Sequence, residues 1–131
     1  MLDAVSKLLT DDPRIAYAIV FGSAGRAQLG PHSDLDVALG LTAGSTLGAL
    51  EIGALAARLE EAAGRPVDLV LLDEAPPALA YRVFRDGQAV AVRDPSALAA
   101  RKARAILDYL DFQPIEELCA RGALAAASRG R

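Results

Sequence analysis

A single cysteine, Cys119, and a single histidine, His32, close off several kinds of chemistry in this chain of 131 residues. One cysteine excludes an internal disulfide framework and a multi-cysteine zinc site, and no histidine stands near it in sequence to form a Cys-His nucleophile. Cys119 therefore reads as a small apolar residue on a late helix. Aromatic residues are scarce at 5%, whereas apolar residues reach 53%, much of it alanine. That mixture points to helices packed by small side chains against a sheet, with a core of ordinary size for one domain. Positive charge is not in excess either: the formal net charge is -3 and the pI about 5.1. Such a balance does not draw a chain to phosphate backbones or anionic lipid, so direct nucleic-acid binding is not expected. The apolar runs fall far short of the roughly 20 residues that a membrane span needs. No basic-then-apolar leader opens the chain, and a cytoplasmic location is expected. The phosphate-binding fingerprints GxxxxGK[ST] and GxGxxG are missing as well.

What is present alternates between helical and extended patterns. Leu2, Val5, Leu8 and Leu9 have helical spacing, ended by the polar and proline residues at 10–13. Residues 16–21 (AYAIVF) read as a buried strand that stops at Gly22, and residues 33–39 (SDLDVAL) as a second strand. A loop over 40–44 leads to a helix over 45–63, with Ile52, Leu55, Leu59 and Ala62 at spacings of three and four and Gly64 as its stop. Residues 66–72 (PVDLVLL) are apolar on both faces except at Asp68, the pattern of a central strand covered by helices. Pro76 and Pro77 open another helix, with Leu79, Ala80, Val83 and Phe84 inward, and residues 88–92 form a short edge strand. Asp94 and Pro95 cap and start the last main helix. Its predicted inner face is Leu98, Ala99, Ala103, Ile106, Leu107 and Leu110, opposed by Arg101, Lys102, Arg104, Asp108 and Asp111; Pro114 marks a break before a helical resumption over 115–127. The order predicts an α/β fold, one domain over 1–131 with a small mixed sheet of about four strands flanked by helices. Its core is expected over 14–92 and a C-terminal helical segment over 95–127.

The residues that carry chemistry stand out against this apolar background. Asp68 interrupts a strand expected to be buried on both faces, and an isolated buried carboxylate costs several kcal/mol unless a cation or strong donor compensates it. Asp34 and Asp36 are two apart, so on an extended strand both carboxylates share one face while Leu35 and Val37 pack on the other. Like charges so placed invite a raised pKa or a hard divalent cation, and magnesium suits an all-oxygen site. If Asp68, 32 residues after Asp36, arrives on the neighbouring strand, three carboxylates meet. Gly22 and Ser23 directly follow a buried strand, where glycine lets backbone approach a ligand and a turn into a short helix aims N–H groups at an anion. Arg26 follows within a helical turn, within reach of the same phosphates. Ser33 precedes the aspartate pair as a turn or orienting residue, and His32 reads as a polar loop residue. Arg82 and Arg85 fall on the helix over 77–86, on a solvated face or against a partner.

Taken together, Gly22, Ser23, Asp34, Asp36 and Asp68 resemble the pattern of the nucleotidyltransferases related to DNA polymerase beta: Gly-Ser, a gap, Asp-X-Asp and a later strand carboxylate. The resemblance runs over about 19–92 and is greatest to the minimal nucleotidyltransferases encoded beside all-helical HEPN proteins, among them MntA-like antitoxin adenylyltransferases. It implies a two-metal mechanism, with Asp34, Asp36 and Asp68 holding two magnesium ions. Gly22, Ser23, Arg26 and Ser33 would then serve the nucleotide. It further implies transfer of AMP from ATP to a tyrosine of a HEPN toxin, in a hetero-oligomeric complex. About sixty residues follow Asp68, without an evident second domain to recognise an acceptor, so the hydroxyl is expected from the partner. Two alternatives remain at this point: an antitoxin that neutralises by occlusion without catalysis, and a nucleotidyltransferase for small molecules.

Overall fold

Between Ile15 and Phe21 the chain has no polar side chain except the Tyr17 hydroxyl, so it has no face to give to water. It becomes a central strand. The computed structural model describes residues 1–22 and 33–128, with side chains as far as residue 111. In chain order the elements are α1 (Leu2–Thr10), β1 (Ile15–Phe21), β2 (Leu35–Leu41), α2 (Ala49–Ala63), β3 (Val67–Leu71), a 3-10 turn over Leu72–Glu74, α3 (Pro77–Asp86), β4 (Gln88–Val92) and α4 (Pro95–Ser128). The sheet order is β3-β2-β1-β4. β1 runs antiparallel to both β2 and β4, and β2 parallel to β3, so the sheet is mixed as the sequence predicts.

Strand alternation sorts the core into two faces. On one side Val5 and Leu9 of α1 and Leu55 and Leu59 of α2 pack on Ile15, Val20, Leu35, Val37 and Leu39. On the other side Ala80 and Val83 of α3 and Ala105 of α4 meet Tyr17, Ile19, Ala38 and Leu72. Local chemistry ends these elements where the sequence suggests. Gly64 closes α2 in the left-handed region at φ 70°, a conformation in which a side chain costs energy. Asp94 Oδ1 accepts from the Ala97 N–H at 3.1 Å and caps α4. Stacked rings of Tyr81 and Tyr109, with centroids 4.0 Å apart, fasten α3 to α4.

Four expectations need correction. β3 is an edge strand and Asp68 on it is exposed, because β1 and β2 take the central places. β2 extends through Gly40 to Leu41, where a loop was expected. On α4 the sheet-facing residues are Leu98, Arg101 and Ala105, while Ala99, Ala103, Ile106, Leu107 and Leu110 face outward. Arg101 turns inward because its Nη2 donates to the Leu72 carbonyl at 2.9 Å and its Nε lies 3.7 Å from Asp73. The small Ala105 allows the close approach that a leucine would block. α4 also runs continuously through Pro114.

Gly40 has a packing reason. A Cβ built there lies 2.0–2.4 Å from three atoms of the buried Tyr17 ring. Gly40→Ala is expected to lower unfolding free energy by about 1–3 kcal/mol, the scale of overpacking a core, checked by urea denaturation. Gly40→Ala combined with Tyr17→Leu should recover part of that loss.

Candidate functional site

The register of the sheet sets the site. Phe21 of β1 pairs with Asp36 of β2, and Asp36 pairs with Asp68 of β3. Side chains opposite one another in a sheet share a face. The two carboxylates and the Phe21 ring therefore stand in a row across three strands, on the face that α3 and α4 cover. One step along, Ile19, Ala38 and Val70 form the next row, which is apolar.

Asp34 lies just before β2 and is exposed, so it is not a strand residue as expected. The segment is nevertheless held. The Leu35 N–H donates to the Pro66 carbonyl at 2.9 Å, and Arg65 Nη1 donates to the Ser33 carbonyl at 3.3 Å. These bonds tie the start of the Asp34–Asp36 stretch to the start of β3. No periodicity or motif marks Arg65 for this contact.

The charges of Asp68 and Asp34 act on Asp36. Burial pushes the Asp36 carboxyl above its ordinary pKa, and the charges of Asp68 and then Asp34 push it further in the same direction. Asp36 is half-buried, whereas Asp34 and Asp68 are exposed.

Gly22 ends β1 with φ 64°. A Cβ there lies 2.5 Å from Asp36 Oδ2, so only glycine leaves that oxygen in place. Gly22 and Asp36 line a cavity of about 340 Å³. Phe21, Asp68 and Val70 line it too, together with a stripe of α3, Leu79, Arg82 and Asp86. Arg82 was expected on a solvated face or against a partner and Asp86 only at the helix end, whereas both line the cavity. Spacing of i, i+3 and i+7 from Leu79 would have marked both as one helix face.

Ser23, Arg26 and His32 lie outside the described residues, as does the side chain of Cys119. Among the described residues, no three acidic, histidine or cysteine side chains are gathered closely enough to make a finished metal cage. The donor set still fits a hard cation: all three groups are carboxylates, and burial together with the charges of Asp68 and Asp34 raises the Asp36 pKa, a cost that a divalent ion relieves. Among the described residues no lysine or arginine pairs with Asp36.

Similarity to known proteins agrees with this geometry. No curated protein matches the chain by sequence. Among solved structures, a toxin-antitoxin with AMP-PNP superposes with a TM-score of 0.81 at 24% identity, covering 94% of this chain and 98% of that one. A variant of an MntA toxin-antitoxin pair is 27% identical with a TM-score of 0.75, over 90% of this chain and 93% of that one. A third, a tri-AMPylated Shewanella oneidensis HEPN toxin in complex with MNT antitoxin, gives 0.74 at 23% identity over 95% and 99%. The family described as Polymerase beta, Nucleotidyltransferase matches residues 3–96, a span that holds the whole sheet and every carboxylate of the cavity. The chain belongs to the polymerase beta-type nucleotidyltransferases.

Proposed function

We propose that this protein transfers AMP from ATP to a tyrosine hydroxyl of a HEPN-type toxin and thereby acts as its antitoxin. The observation that carries the reading is the Asp36–Asp68 register pair beside Gly22, opening into one cavity. The resemblance to toxin-antitoxin structures, one with AMP-PNP and one with a tri-AMPylated HEPN toxin, supports the nucleotide and the acceptor.

In this reading Asp34, Asp36 and Asp68 hold magnesium, and Gly22, Ser23, Arg26 and Ser33 serve the nucleotide. Magnesium, when bound, supplies charge neutralisation at the phosphates and acidifies the attacking hydroxyl. The chain's own part is positional. Gly22 brings backbone close to the phosphates without displacing Asp36, and the sheet register fixes Asp36 against Asp68. The acceptor oxygen bonds to the α-phosphorus, the bond from that phosphorus to the bridging oxygen breaks, and pyrophosphate leaves with the electron pair. The hydroxyl proton goes to a carboxylate of the site and then to solvent.

The outward stripe of α4 supports a protein acceptor. Ile106, Leu107 and Leu110 are 38%, 62% and 55% exposed, beside a groove lined by Tyr81, Phe84, Arg85 and Lys102. Aromatic, arginine and aliphatic side chains of this kind dominate protein contacts. Leu107→Asp with Leu110→Asp is expected to weaken capture of the HEPN-type partner by about 100-fold or more, two central contacts at roughly 1.4 kcal/mol each. ATP binding should be unchanged. Size-exclusion chromatography of the mixed proteins, with ATP titration alongside, checks both halves; partner capture at full strength would refute the surface.

A further inference from the structure

Arg82 stands in an acidic cleft without being claimed by it. Asp36, Asp68 and Asp86 line the same cavity as its side chain, and a cation among carboxylates is ordinarily drawn into an ion pair. Asp86 is the natural candidate, because residues four apart on a helix are neighbours. Yet both Asp86 oxygens accept from Arg85, Nε at 3.0 Å and Nη2 at 2.9 Å. Among the described residues the Arg82 guanidinium forms no ion pair and no hydrogen bond. α3 thus uses one arginine to occupy its acidic residue and leaves the other exposed on the lining of the cavity that Gly22 shares.

We propose that Arg82 binds the β- and γ-phosphates of the nucleoside triphosphate and stabilises the departing pyrophosphate. This rests on the reading above that the cavity takes ATP. A planar guanidinium matches two phosphate oxygens at once, and its charge is permanent. The carboxylates beneath are reserved for metal and repel phosphate, so the wall needs a cation to hold the phosphate chain over them. When the bond from the α-phosphorus to the bridging oxygen breaks, its electron pair stays on pyrophosphate and Arg82 faces the charge that grows there. Arg82 thereby supplies binding to the triphosphate that AMP alone does not receive.

The test is calorimetric, with α,β-methylene-ATP in magnesium buffer, because its α–β link does not break and binding is read apart from turnover. Wild type, Arg82→Ala and Arg82→Lys are compared, with AMP as second ligand and thermal melting to establish that each variant is folded. Arg82 is exposed, so its removal leaves the core intact. Arg82→Ala is expected to raise the Kd for the triphosphate analogue about tenfold or more, the scale of one charged hydrogen-bond pair. AMP affinity should stay the same, and Arg82→Lys should recover part of the loss. Equal analogue affinity in wild type and Arg82→Ala overturns the assignment, and if partner capture falls instead, Arg82 belongs to the acceptor interface. If wild type itself fails to bind the analogue, the ATP reading falls and the assignment with it, a different result from equal binding by both proteins.

Discussion

Asp36→Asn is expected to abolish nucleotide transfer, lowering kcat by roughly a thousandfold or more, about 4 kcal/mol of lost transition-state stabilisation, while the protein stays folded. Asp36 is the central carboxylate of the row, with Phe21 on one side and Asp68 on the other. Asparagine keeps its size and its place on β2 but removes the charge that a divalent cation requires. The stability consequence has the opposite sign. Burial and two like charges hold the Asp36 carboxyl above its ordinary pKa, so without metal the folded chain binds a proton there more readily than the unfolded chain. Ionising Asp36 therefore costs folding energy. Metal-free wild type should gain stability as the pH falls through the raised pKa towards the ordinary value of about 4. Asp36→Asn should lack that component and melt at the same or a higher temperature at neutral pH. Loss of activity together with a large drop in melting temperature would show instead that Asp36 is structural. Melting curves at several pH values, with chelator, separate the two.

Gly22→Ala is the second large effect, and it arises from shape alone. A side chain at φ 64° costs about 1–2 kcal/mol in backbone strain. Its Cβ would also lie 2.5 Å from Asp36 Oδ2, closer than real contacts allow. The carboxylate must move, and a displacement of this order at a reacting centre costs roughly 100-fold in rate. Gly22→Ala should add little further loss on the Asp36→Asn background, because Gly22 acts by keeping the Asp36 carboxylate in place. Steady-state transfer rates for the two single variants and the double variant check this. Additive losses would mean that Gly22 acts independently of Asp36.

How much of this was legible in the sequence depends on whether a position is set by local chemistry or by strand order. The helix stops at Gly64 and Asp86, the Asp94 cap and the β4 segment were readable because glycine, proline and aspartate act within a few residues. The meeting of Asp36 with Asp68 was also inferable, since a parallel neighbour follows from a strand-helix-strand unit. The reason offered for it was mistaken. Asp68 was singled out as a charge buried in a central strand, but β3 is at the edge and Asp68 faces solvent; the apolar run VDLVLL instead packs partly against α2. Apolar content does not distinguish a central strand from an edge strand that a helix covers. α4 misled in a similar way. Its leucines and isoleucine were assigned inward because burial is their usual fate, whereas Arg101 and Ala105 take that face through a hydrogen bond to Leu72 and close backbone approach. Neither cause is written in periodicity. Arg82 and Asp86 were not connected to the carboxylates because α3 reaches them only through the packed fold.

The central claim is that these carboxylates transfer AMP to a protein. The direct measurement is the intact mass of the HEPN-type partner after incubation with this protein, ATP and magnesium, with Asp36→Asn in parallel. The account predicts an AMP-sized increase with wild type, placed on tyrosine by peptide mapping, and none with Asp36→Asn. Neutralisation of the toxin at unchanged partner mass would contradict it and assign the protein to occlusion.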